Sequence, residues 1–499
     1  MSSASFSADD RARLAEHGID ESEAARQLEL LRNPPSHLVL DRPCTIGDGV
    51  EALDALHQER AVAAGRALVA TGRVTKFVPA SGAATRMFQG LATALAADLP
   101  SATDDGRRFV ESLDAFPFAA ELRGRAGIQG TPSDADAERR LLATLLREMR
   151  YAELPKGLIP FHNGTEPHTA FEDQLWEGTA YTRGEDGRSR MHFTVVPTAR
   201  ADFEGLLGQV RGAIGTAASA TLDVSFSEQH PSTDTIAIDA QGQPFRTSDG
   251  RLLFRPAGHG ALIDNLQKLS GDVVVIKNID NILPSTRTTE VVRWKLVLLG
   301  VLAELQAFIA GALERSRQDG VTEGQLTALV GAIGARFGRV PRAGVIGRAA
   351  LAAFVQASLD RPLRVVGVVR NEGEPGGAPF WVRASDGTVG KQIVESAQVD
   401  LTDAGQKRVF AASTHFNPVD IVCALRDPAG RPYDLARFVD PATAFIARKS
   451  SEGRALTALE RPGLWNGAMA HWNTVCIEVP ASTFAPVKTV FDLLRPQHQ

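Results

Sequence analysis

Short runs of apolar, often β-branched residues alternate with long helical segments from Val74 to Val479, and this alternation limits the folds open to the chain. Since a helix usually joins neighbouring parallel strands, such alternation is typical of a doubly wound sheet. The run from Asp272 to Ile276 contains four apolar β-branched residues, which indicates a strand buried on both faces. The sequence therefore predicts an α/β fold with a mostly parallel, mixed sheet.

Similar runs predict the other strands. They lie at Val74–Val78, Met191–Val196, Leu222–Phe226, Ile236–Asp239, Leu363–Val369, Gln392–Glu395 and Val475–Val479. Residues 1–72 are rich in helix-forming residues, and Ser7 is positioned to cap a first helix. We therefore expect an N-terminal helical segment ahead of the sheet.

The remaining chain is predicted to form one core built around this sheet. Residues 73–400 would build most of this core, and residues 401–499 would complete it together with the active site. Two stretches, 101–150 and 305–360, have helical periodicity and no β-branched run. We interpret these two stretches as helical insertions outside the sheet.

Composition and charge exclude several classes of protein. The chain has a net charge of −5, so no basic excess suggests a nucleic-acid partner. The three cysteines, Cys44, Cys423 and Cys476, form no CxxC pair, which argues against a zinc site or a disulfide framework. The polar start of the chain and the absence of a recognised membrane span predict a cytoplasmic protein without a membrane partner.

A loop of small residues, Ala80–Thr85, follows the first strand of the predicted core. A helix should come next, because large apolar residues recur at helical spacing at Met87, Leu91, Leu95 and Leu99. Small residues let the backbone approach a ligand, free amides at a helix start bind phosphate, and Arg86 could add a planar fork of donors. The alternative is a tight packing turn whose arginine pairs with a carboxylate.

The segment Phe254–Ala261 carries Gly258 and Gly260 on either side of His259. It lacks the third glycine of a dinucleotide-binding turn, because Ile263 stands in that position, so we exclude dinucleotide binding. The segment could pack against a base or a ribose. It could equally be a turn that uses glycine for positive φ, with His259 as a local hydrogen-bonding group.

The segment Val273–Asn281 joins the buried strand to a polar cluster. Asp280 would lie at the carboxyl end of the strand, where α/β enzymes bind ligands and where a Mg²⁺ ligand is expected. The alternative is a residue that caps the next turn. Lys277 favours the functional interpretation, because an unpaired ammonium group is costly to bury.

Other motifs carry less information. The Asp134-Ala135-Asp136 sequence resembles the metal-binding DxD of glycosyltransferases, but it follows Ser133 at a predicted helix start and is interpreted as a cap. The motifs HExxH and GxSxG and the phosphate-binding P-loop are absent from the sequence.

The order of these segments resembles that of the UDP-sugar pyrophosphorylases, notably the UDP-N-acetylglucosamine pyrophosphorylase branch. The matching segments are Gly82–Met87, Pro155–Leu158, His192–Val195, Phe226–Gln229 with Asp239–Gly242, Pro256–Gly260, Ile279–Asn281, Glu374–Gly377 with Ile393–Ser396, Phe416–Asn417 and Phe484–Lys488. No single segment is specific, and the resemblance depends on their unbroken order. The whole chain also resembles a bacterial family known only as a domain of unknown function.

The resemblance implies a GT-A-like, Rossmann-like nucleotidyltransferase that makes a nucleoside-diphosphate sugar and pyrophosphate from a nucleoside triphosphate, UTP first, and a sugar 1-phosphate. It implies Mg²⁺ held by Asp280 and the catalytic residues Arg86, Lys156 and Lys488. The implied nucleotide contacts are Ala80, Ser81, Gly82, Ala83, Ala84, Thr85, Gln229, Gly258, His259 and Gly260. The implied sugar contacts are Glu374, Gly376, Glu395 and Asn417.

The chain departs from the family pattern at three places. Ala84 replaces the second glycine of the loop, residues 91–150 replace a short link, and Ser396 follows Glu395 without an intervening tyrosine. These differences affect the identity of the base and the sugar more than the class of reaction. Two alternatives stay open: a non-catalytic nucleotide or nucleotide-sugar binding protein on the same fold, and a GT-A glycosyltransferase.

Overall fold

The computed structural model describes residues 6–132, 134–164, 166–342, 344–373, 376–384 and 386–499, so the predicted sugar contact Glu374 lies outside the described residues. The helices are α1 (Ala8–His17), α2 (Glu21–Arg32), α3 (Ala55–Ala70), α4 (Gln89–Leu95), α5 (Asp104–Glu111), α6 (Ala119–Ala126), α7 (Ala135–Ala143), α8 (Ala170–Thr182), α9 (Arg200–Ala218), α10 (Leu262–Gln267), α11 (Thr289–Ser316), α12 (Glu323–Phe337), α13 (Arg348–Leu359) and α14 (Ala404–Ala411). The strands are β1 (Val39–Pro43), β2 (Thr45–Ile46), β3 (Gly49–Glu51), β4 (Val74–Pro79), β5 (Pro160–His162), β6 (His168–Thr169), β7 (Arg188–Val195), β8 (Thr221–Glu228), β9 (Thr235–Ile238), β10 (Phe254–Arg255), β11 (Val273–Lys277), β12 (Leu363–Arg370), β13 (Ala378–Arg383), β14 (Val389–Val394), β15 (His415–Ala424), β16 (Phe445–Ser451), β17 (Arg454–Glu460) and β18 (Asn473–Glu478).

The chain folds into two compact units, each built from three separate stretches of sequence. The first unit comprises Met1–Gln58, Gln229–Val274 and Val301–Val479. The second unit comprises Glu59–Glu228, Val275–Gly300 and Pro480–Gln499. Residues far apart in the sequence are therefore close neighbours within each unit.

The first unit contains a row of strands in the order β2, β3, β18, β12 and β15. Strands β3 and β12 run parallel to β18, whereas β15 runs antiparallel to β12. Two smaller sheets, β1-β13-β14 and β10-β9-β17-β16, belong to the same unit. The antiparallel neighbours make the sheet mixed, as the sequence predicts.

In the second unit, strands β4, β7 and β8 lie side by side in that order, and the end of β11 from Val275 onward lies next to β4. Strands β4, β7 and β8 are parallel, with Phe77 opposite His192 and Phe193 opposite Phe226. Every residue of β11 is buried, which agrees with a strand covered on both faces. The predicted α/β class with a mostly parallel sheet is thus confirmed.

The N-terminal segment differs in part from the prediction. Ser7 caps α1 in a reciprocal capping box with Asp10, as its position predicts. The three short strands β1–β3 interrupt the segment that was expected to be helical throughout residues 1–72. Strands of two to five residues with charged side chains are too short to show an alternating pattern. The described residues of 101–150 and 305–360 contain helices and no strand, as predicted.

Helix α11 corrects the expectation that no segment of the chain is long and apolar enough to span a membrane. It has 28 residues, and by length and composition alone it could cross a membrane. However, 61% of its most apolar window is buried inside the protein, as in a core helix of a soluble protein. Its hydrophobicity is therefore explained by burial within the fold.

Helix α8 buries a face of ionisable and polar side chains. It starts with a capping box between Thr169 and Glu172, and it carries Glu177 and Tyr181 with no exposed side-chain surface. Glu177 accepts hydrogen bonds from Lys76 at 3.2 Å and from the Tyr181 hydroxyl at 2.6 Å. Lys277 donates to the second carboxylate oxygen of Glu177. One glutamate on α8 therefore joins two strands of the sheet.

The pKa shifts in this cluster follow from burial and mutual charge. Burial alone would raise the pKa of Glu177, but the ammonium groups of Lys277, Lys76 and Lys295 lower it below its usual value. Burial lowers the pKa of Lys76 to about 8 and that of Lys295 well below the usual lysine value. Lys277 is thus paired inside the protein, which removes the argument that a buried unpaired ammonium marks a functional site.

Helices α3 and α11 approach each other closely within the second unit. A Cβ atom on Gly300 would lie 1.9 Å from the Ala61 carbonyl oxygen, and one on Gly65 would lie 2.1 Å from the Leu296 carbonyl oxygen. Both distances are far below van der Waals contact, so the two glycines allow the backbones to touch.

We predict that Gly300→Ala lowers the free energy of unfolding by about 1–3 kcal/mol, because the added methyl group must push the two helices apart. Gly311→Ala lies on the same helix with no atom within 4 Å of the new Cβ and is the matched control. It should raise stability by about 0.5–1 kcal/mol through better helix propensity. Urea denaturation of both variants tests the prediction, and an unchanged or raised stability of Gly300→Ala would contradict it.

Candidate active site

Two lysines from distant parts of the sequence bind one carboxylate oxygen in the second unit. Lys156 Nζ donates to Asp280 Oδ2 at 2.8 Å, and Lys488 Nζ donates to the same oxygen at 3.0 Å. Lys156 also donates to the Val487 carbonyl at 2.8 Å. Three of the four charged residues singled out by the sequence therefore converge.

Asp280 and Lys156 are nearly buried, with 11% and 12% of their side chains exposed, whereas Lys488 is 57% exposed. Burial alone would raise the pKa of Asp280, but the ammonium groups of Lys488 and Lys156 hold it below its usual value. Since one carboxylate faces two ammonium groups, this cluster carries an excess of positive charge. Such a cluster is suited to binding an anion.

Local structure fixes each member of the cluster. Asp280 follows the end of β11, and its carbonyl accepts a hydrogen bond from the Val487 amide at 2.9 Å. Asn281 Oδ1 accepts from the Ala485 amide, so the segment before Lys488 is bonded to the turn after β11. Lys156 lies in a 3₁₀ turn, Lys156–Leu158.

The small-residue loop contacts the Lys156 turn directly. The Ala84 amide donates to the Leu154 carbonyl at 2.9 Å, and the Lys156 amide donates to the Gly82 carbonyl at 3.1 Å. Gly82 is exposed and has open space where a Cβ would project, so a ligand can approach its backbone. Ser81, Ala83 and Thr85 are likewise at least partly exposed.

Arg86 is exposed, and no described residue forms an ion pair or side-chain hydrogen bond with it. The alternative in which it merely pairs with a carboxylate is therefore wrong for the described part of the chain. A guanidinium without a partner among the described residues, on a loop bonded to the Lys156 turn, remains available to a phosphate.

Two details of this loop differ from the sequence-based expectation. Arg86 lies in a 3₁₀ turn, Ala84–Arg86, and α4 begins only at Gln89 and ends at Leu95, so Leu99 is left 41% exposed. The i, i+4 pattern predicted too long a helix, because Leu99, its last leucine, does not face the core. The amides of Ala80 and Ala84 donate to the carbonyls of Thr194 and Leu154, so neither amide can bind phosphate in this conformation.

The predicted base-binding segment lies in the first unit. Gly258 has a φ of +74°, and a Cβ on Gly260 would lie 2.4 Å from the Pro462 carbonyl oxygen, so both positions require glycine. His259 stacks on Trp465 at a ring distance of 4.1 Å, and its Nδ1 accepts from the Leu464 amide. His259 is thus a local hydrogen-bonding group, as the structural interpretation of this turn predicts.

Other contacts complete this segment. Gln229 Nε2 lies 3.5 Å from the Gly258 carbonyl oxygen, which brings two predicted nucleotide contacts together. Burial lowers the pKa of His259 to about 4, so the imidazole is neutral at physiological pH. Because Nδ1 accepts the Leu464 amide proton, the ring proton of the neutral form is assigned to Nε2.

The predicted sugar contacts that the structure describes also meet in the first unit, around Gly377. The Asn417 amide donates to the Gly377 carbonyl at 2.7 Å, and a Cβ on Gly377 would lie 3.3 Å from the Glu395 side chain. Gly376 is exposed, and a Cβ there would lie 3.7 Å from the Phe416 ring. Burial raises the pKa of the half-buried Glu395 despite donors on Trp465 and Asn466.

The sequence did not single out Trp465 and Asn466. Asn466 is fully buried, donates to the Ile393 carbonyl at 3.1 Å, and approaches Gly377. Asn466 Oδ1 and Asn417 Nδ2 are buried polar atoms without a hydrogen-bond partner among the described residues. The glycines on either side of these residues, Gly463 and Gly467, were the available signal, because both are required by close neighbours.

The Asp134-Ala135-Asp136 motif is a helix cap, as predicted. Asp134 Oδ1 accepts from the Ala137 amide at 2.8 Å at the start of α7, and the exposed Asp136 pairs with Arg139. No group of three or more His, Cys, Asp or Glu side chains in the described ranges is arranged to hold a metal ion.

We predict that Asp280→Asn lowers stability by about 1–3 kcal/mol at pH 7, because it leaves the nearly buried Lys156 without its countercharge. Since the pKa of Asp280 is lowered in the folded state, the stabilisation by its ion pairs is complete above the pKa of the unfolded state, near 4. It should disappear as pH falls through the lowered value.

Urea denaturation of the wild type and Asp280→Asn at pH 7 and pH 3 measures this difference. Asp319→Asn, at an exposed position, is the control and should match the wild type at both pH values. A stability difference that grows on acidification would contradict the ion-pair account.

Comparison with solved structures identifies proteins of similar fold. The UDP-N-acetylglucosamine pyrophosphorylase from Trypanosoma brucei, solved in complex with an inhibitor, aligns over 98% of this chain and 79% of its own, at 14% identity and a TM-score of 0.50. The UDP-glucose pyrophosphorylase from Leishmania major, in complex with UDP-glucose, aligns over the same shares at 14% identity and a TM-score of 0.45. The first match shows that the chain shares the fold of a UDP-sugar pyrophosphorylase.

Comparison with curated protein sequences gives no significant match. Comparison with family profiles gives a match that extends from residue 7 to residue 499. On that match, the chain belongs to the family described as a domain of unknown function, DUF4301.

Proposed function

We propose that the protein is a Mg²⁺-dependent nucleotidyltransferase, which makes a nucleoside-diphosphate sugar and pyrophosphate from a nucleoside triphosphate and a sugar 1-phosphate. UTP is the first candidate for the triphosphate. The observation that carries the proposal is the convergence of Lys156 and Lys488 on one oxygen of Asp280. The shared fold with a UDP-sugar pyrophosphorylase agrees with this proposal.

In the proposed reaction, a phosphate oxygen of the sugar phosphate attacks the α-phosphorus of the triphosphate. One P–O bond forms there, the bond to the bridging oxygen breaks, and pyrophosphate leaves with that electron pair. No protein nucleophile is needed, so the protein contributes positioning and charge neutralisation. Lys156 suits this role because two acceptors already fix its ammonium group before substrate binds.

Lys488 and Arg86 would neutralise the remaining phosphate charge. Both are exposed, and Arg86 has no ion-pair or side-chain hydrogen-bond partner among the described residues, so phosphate oxygens can reach them. The open backbone at Gly82 would let the triphosphate lie close to the loop. The positive excess around Asp280 would then be balanced by substrate charge.

In the proposed reaction, Asp280 would hold a Mg²⁺ ion together with phosphate oxygens of the substrate, whose negative charge would offset the two ammonium groups. Both lysines bind Oδ2, and no described residue donates a hydrogen bond to Oδ1. Mg²⁺ commonly binds through one or two carboxylates, several waters and substrate phosphates. When bound, the ion would supply charge neutralisation at the phosphate oxygens.

The residues around Gly377 and Gly258 would recognise the non-phosphate parts of the substrates. Asn417 has a buried amide donor without a partner among the described residues, and Glu395 offers a half-buried carboxylate. Such donors and acceptors suit sugar hydroxyl groups. The Gly258–Gly260 turn and Gln229 would contact the base and the ribose.

A panel of nucleoside triphosphates against sugar 1-phosphates, with pyrophosphate release as the readout, tests this proposal. We expect release that requires Mg²⁺ and both substrates. Binding of a nucleotide sugar without release for any pair would favour the non-catalytic binding protein. Transfer of the sugar from a nucleotide sugar to an acceptor would favour the glycosyltransferase.

We predict that Arg86→Ala and Lys488→Ala each lower kcat/KM by an amount equivalent to about 2–4 kcal/mol of transition-state stabilisation. Each replacement removes one positive charge from the phosphate site, and both side chains are exposed, so the fold should persist. Arg211→Ala, at an exposed position on α9, is the control and should match the wild type. Equal activity of Arg86→Ala and Arg211→Ala would contradict the role of the loop.

We predict that Glu395→Gln raises the KM for the sugar 1-phosphate at least about tenfold, because a charged acceptor for a hydroxyl group is lost. The KM for the nucleoside triphosphate should change less than twofold on this account. Steady-state kinetics with each substrate varied in turn measure the two effects, and Glu314→Gln serves as an exposed control. An equal rise in both KM values would argue against a sugar-specific contact.

A further inference from the structure

Three buried side chains in the second unit are joined by hydrogen bonds. His162 Nδ1 lies 2.6 Å from Asp173 Oδ2, and His162 Nε2 lies 2.8 Å from His498 Nδ1. Asp173 has no exposed surface, and both histidines are 1% exposed. The two imidazole rings lie edge to edge in nearly one plane, with an interplanar angle of 9° and centroids 5.1 Å apart, as a ring-to-ring hydrogen bond requires.

The carboxylate determines where the protons of the neutral pair lie. Asp173 can only accept, so the His162 proton is on Nδ1 and its Nε2 carries a lone pair. His498 Nδ1 must then donate to His162. The hydrogen bond thus needs His162 Nε2 to be unprotonated. It breaks if His162 Nε2 and His498 Nδ1 both carry a proton.

Neighbouring charges act on this pair. His168 lies 3.7 Å from Asp173 Oδ1, and this contact raises the pKa of His168. Burial and the proximity of His162 lower the pKa of His498 to about 4, with smaller effects from Asp492 and Arg495. His498 is therefore neutral under physiological conditions, as a donor to a lone pair requires.

The two histidines lie on the same stretches of chain as the two lysines of the candidate active site. His162 ends β5, directly after the 3₁₀ turn that carries Lys156. His498 ends the 3₁₀ turn Pro496–His498 on the segment that carries Lys488. The imidazole–imidazole hydrogen bond joins these two stretches again, beyond the links through Asp280 and the Val487 carbonyl.

We propose that His162 and His498 are positioning residues that hold Lys156 and Lys488 in their places beside Asp280. The proposal rests on the proposed function, because the lysines matter only if they bind phosphate. Neither histidine touches Asp280 itself in the structure. Their effect on the reaction is exerted through the chain segments that they tie together.

Two substitutions at one position separate the hydrogen bond from ring packing. His498→Phe keeps an aromatic ring but removes the donor, whereas His498→Asn keeps an N–H donor at the place of Nδ1. We expect His498→Phe to lower kcat about tenfold and to raise the KM for the nucleoside triphosphate about tenfold. His498→Asn should recover at least half of the wild-type kcat.

Leu493→Ala is the matched control for general destabilisation. Leu493 is fully buried on the same segment, and its side chain forms no hydrogen bond. Its melting temperature should fall at least as far as that of His498→Phe, while its kcat stays near wild type. The proposal is overturned if His498→Phe retains full kcat, if His498→Asn is as impaired as His498→Phe, or if Leu493→Ala loses kcat in proportion to stability.

Binding of inorganic tripolyphosphate, measured by calorimetry, separates this proposal from the proposed function. If the wild type releases no pyrophosphate from any substrate pair, the nucleotidyltransferase assignment fails. The positioning role then predicts about tenfold weaker tripolyphosphate binding for His498→Phe and near wild-type binding for His498→Asn. Equal affinities of the wild type and His498→Phe would overturn the positioning role.

Discussion

The buried polar face of α8 is the constraint on which the second unit depends. Glu177 on this helix is fully buried, and it is stable there because Lys76, Lys277 and Tyr181 all donate to its carboxylate. Removing one partner of such a cluster leaves an uncompensated buried charge, which typically costs several kcal/mol. The helix is therefore tied to β4 and β11 in one arrangement, and the residues after β11 inherit that arrangement.

The same helix also orders the parts of the candidate active site. Gln174 donates to the carbonyls of Asn278 and Ile279, at 3.0 and 3.3 Å, directly before Asp280. Asp173 binds His162, which follows the Lys156 turn and reaches the segment of Lys488 through His498. Asp173, Gln174 and Glu177, all on α8, thus bind the chain segments that carry the carboxylate and both lysines. A charge cluster with this support is held in one arrangement before a ligand binds, as the proposed phosphate-transfer chemistry requires.

The sequence predicts the strands of the core well, because their β-branched runs are a local property of the chain. It also selects Lys156, Asp280 and Lys488, although through the order of motifs in a family rather than through any spacing between these residues. It misjudges Lys277, whose partner Glu177 is 100 positions away. Pairings of that kind arise from packing and leave no local pattern, and the same reason explains why Trp465, His162 and His498 were not selected. The helix after Arg86 was overestimated because helical periodicity does not record which leucine meets the core.

The central claim is direct transfer of a nucleotidyl group between two phosphates, and exchange of labelled pyrophosphate tests it most directly. The account predicts that label from pyrophosphate enters the nucleoside triphosphate only when a nucleotide sugar or a sugar 1-phosphate is also present. Since the reaction needs no protein nucleophile, label should not enter from pyrophosphate and triphosphate alone. Exchange without any sugar compound would indicate a covalent nucleotidyl-protein intermediate and contradict the account, as would a complete absence of exchange with every nucleotide sugar tested.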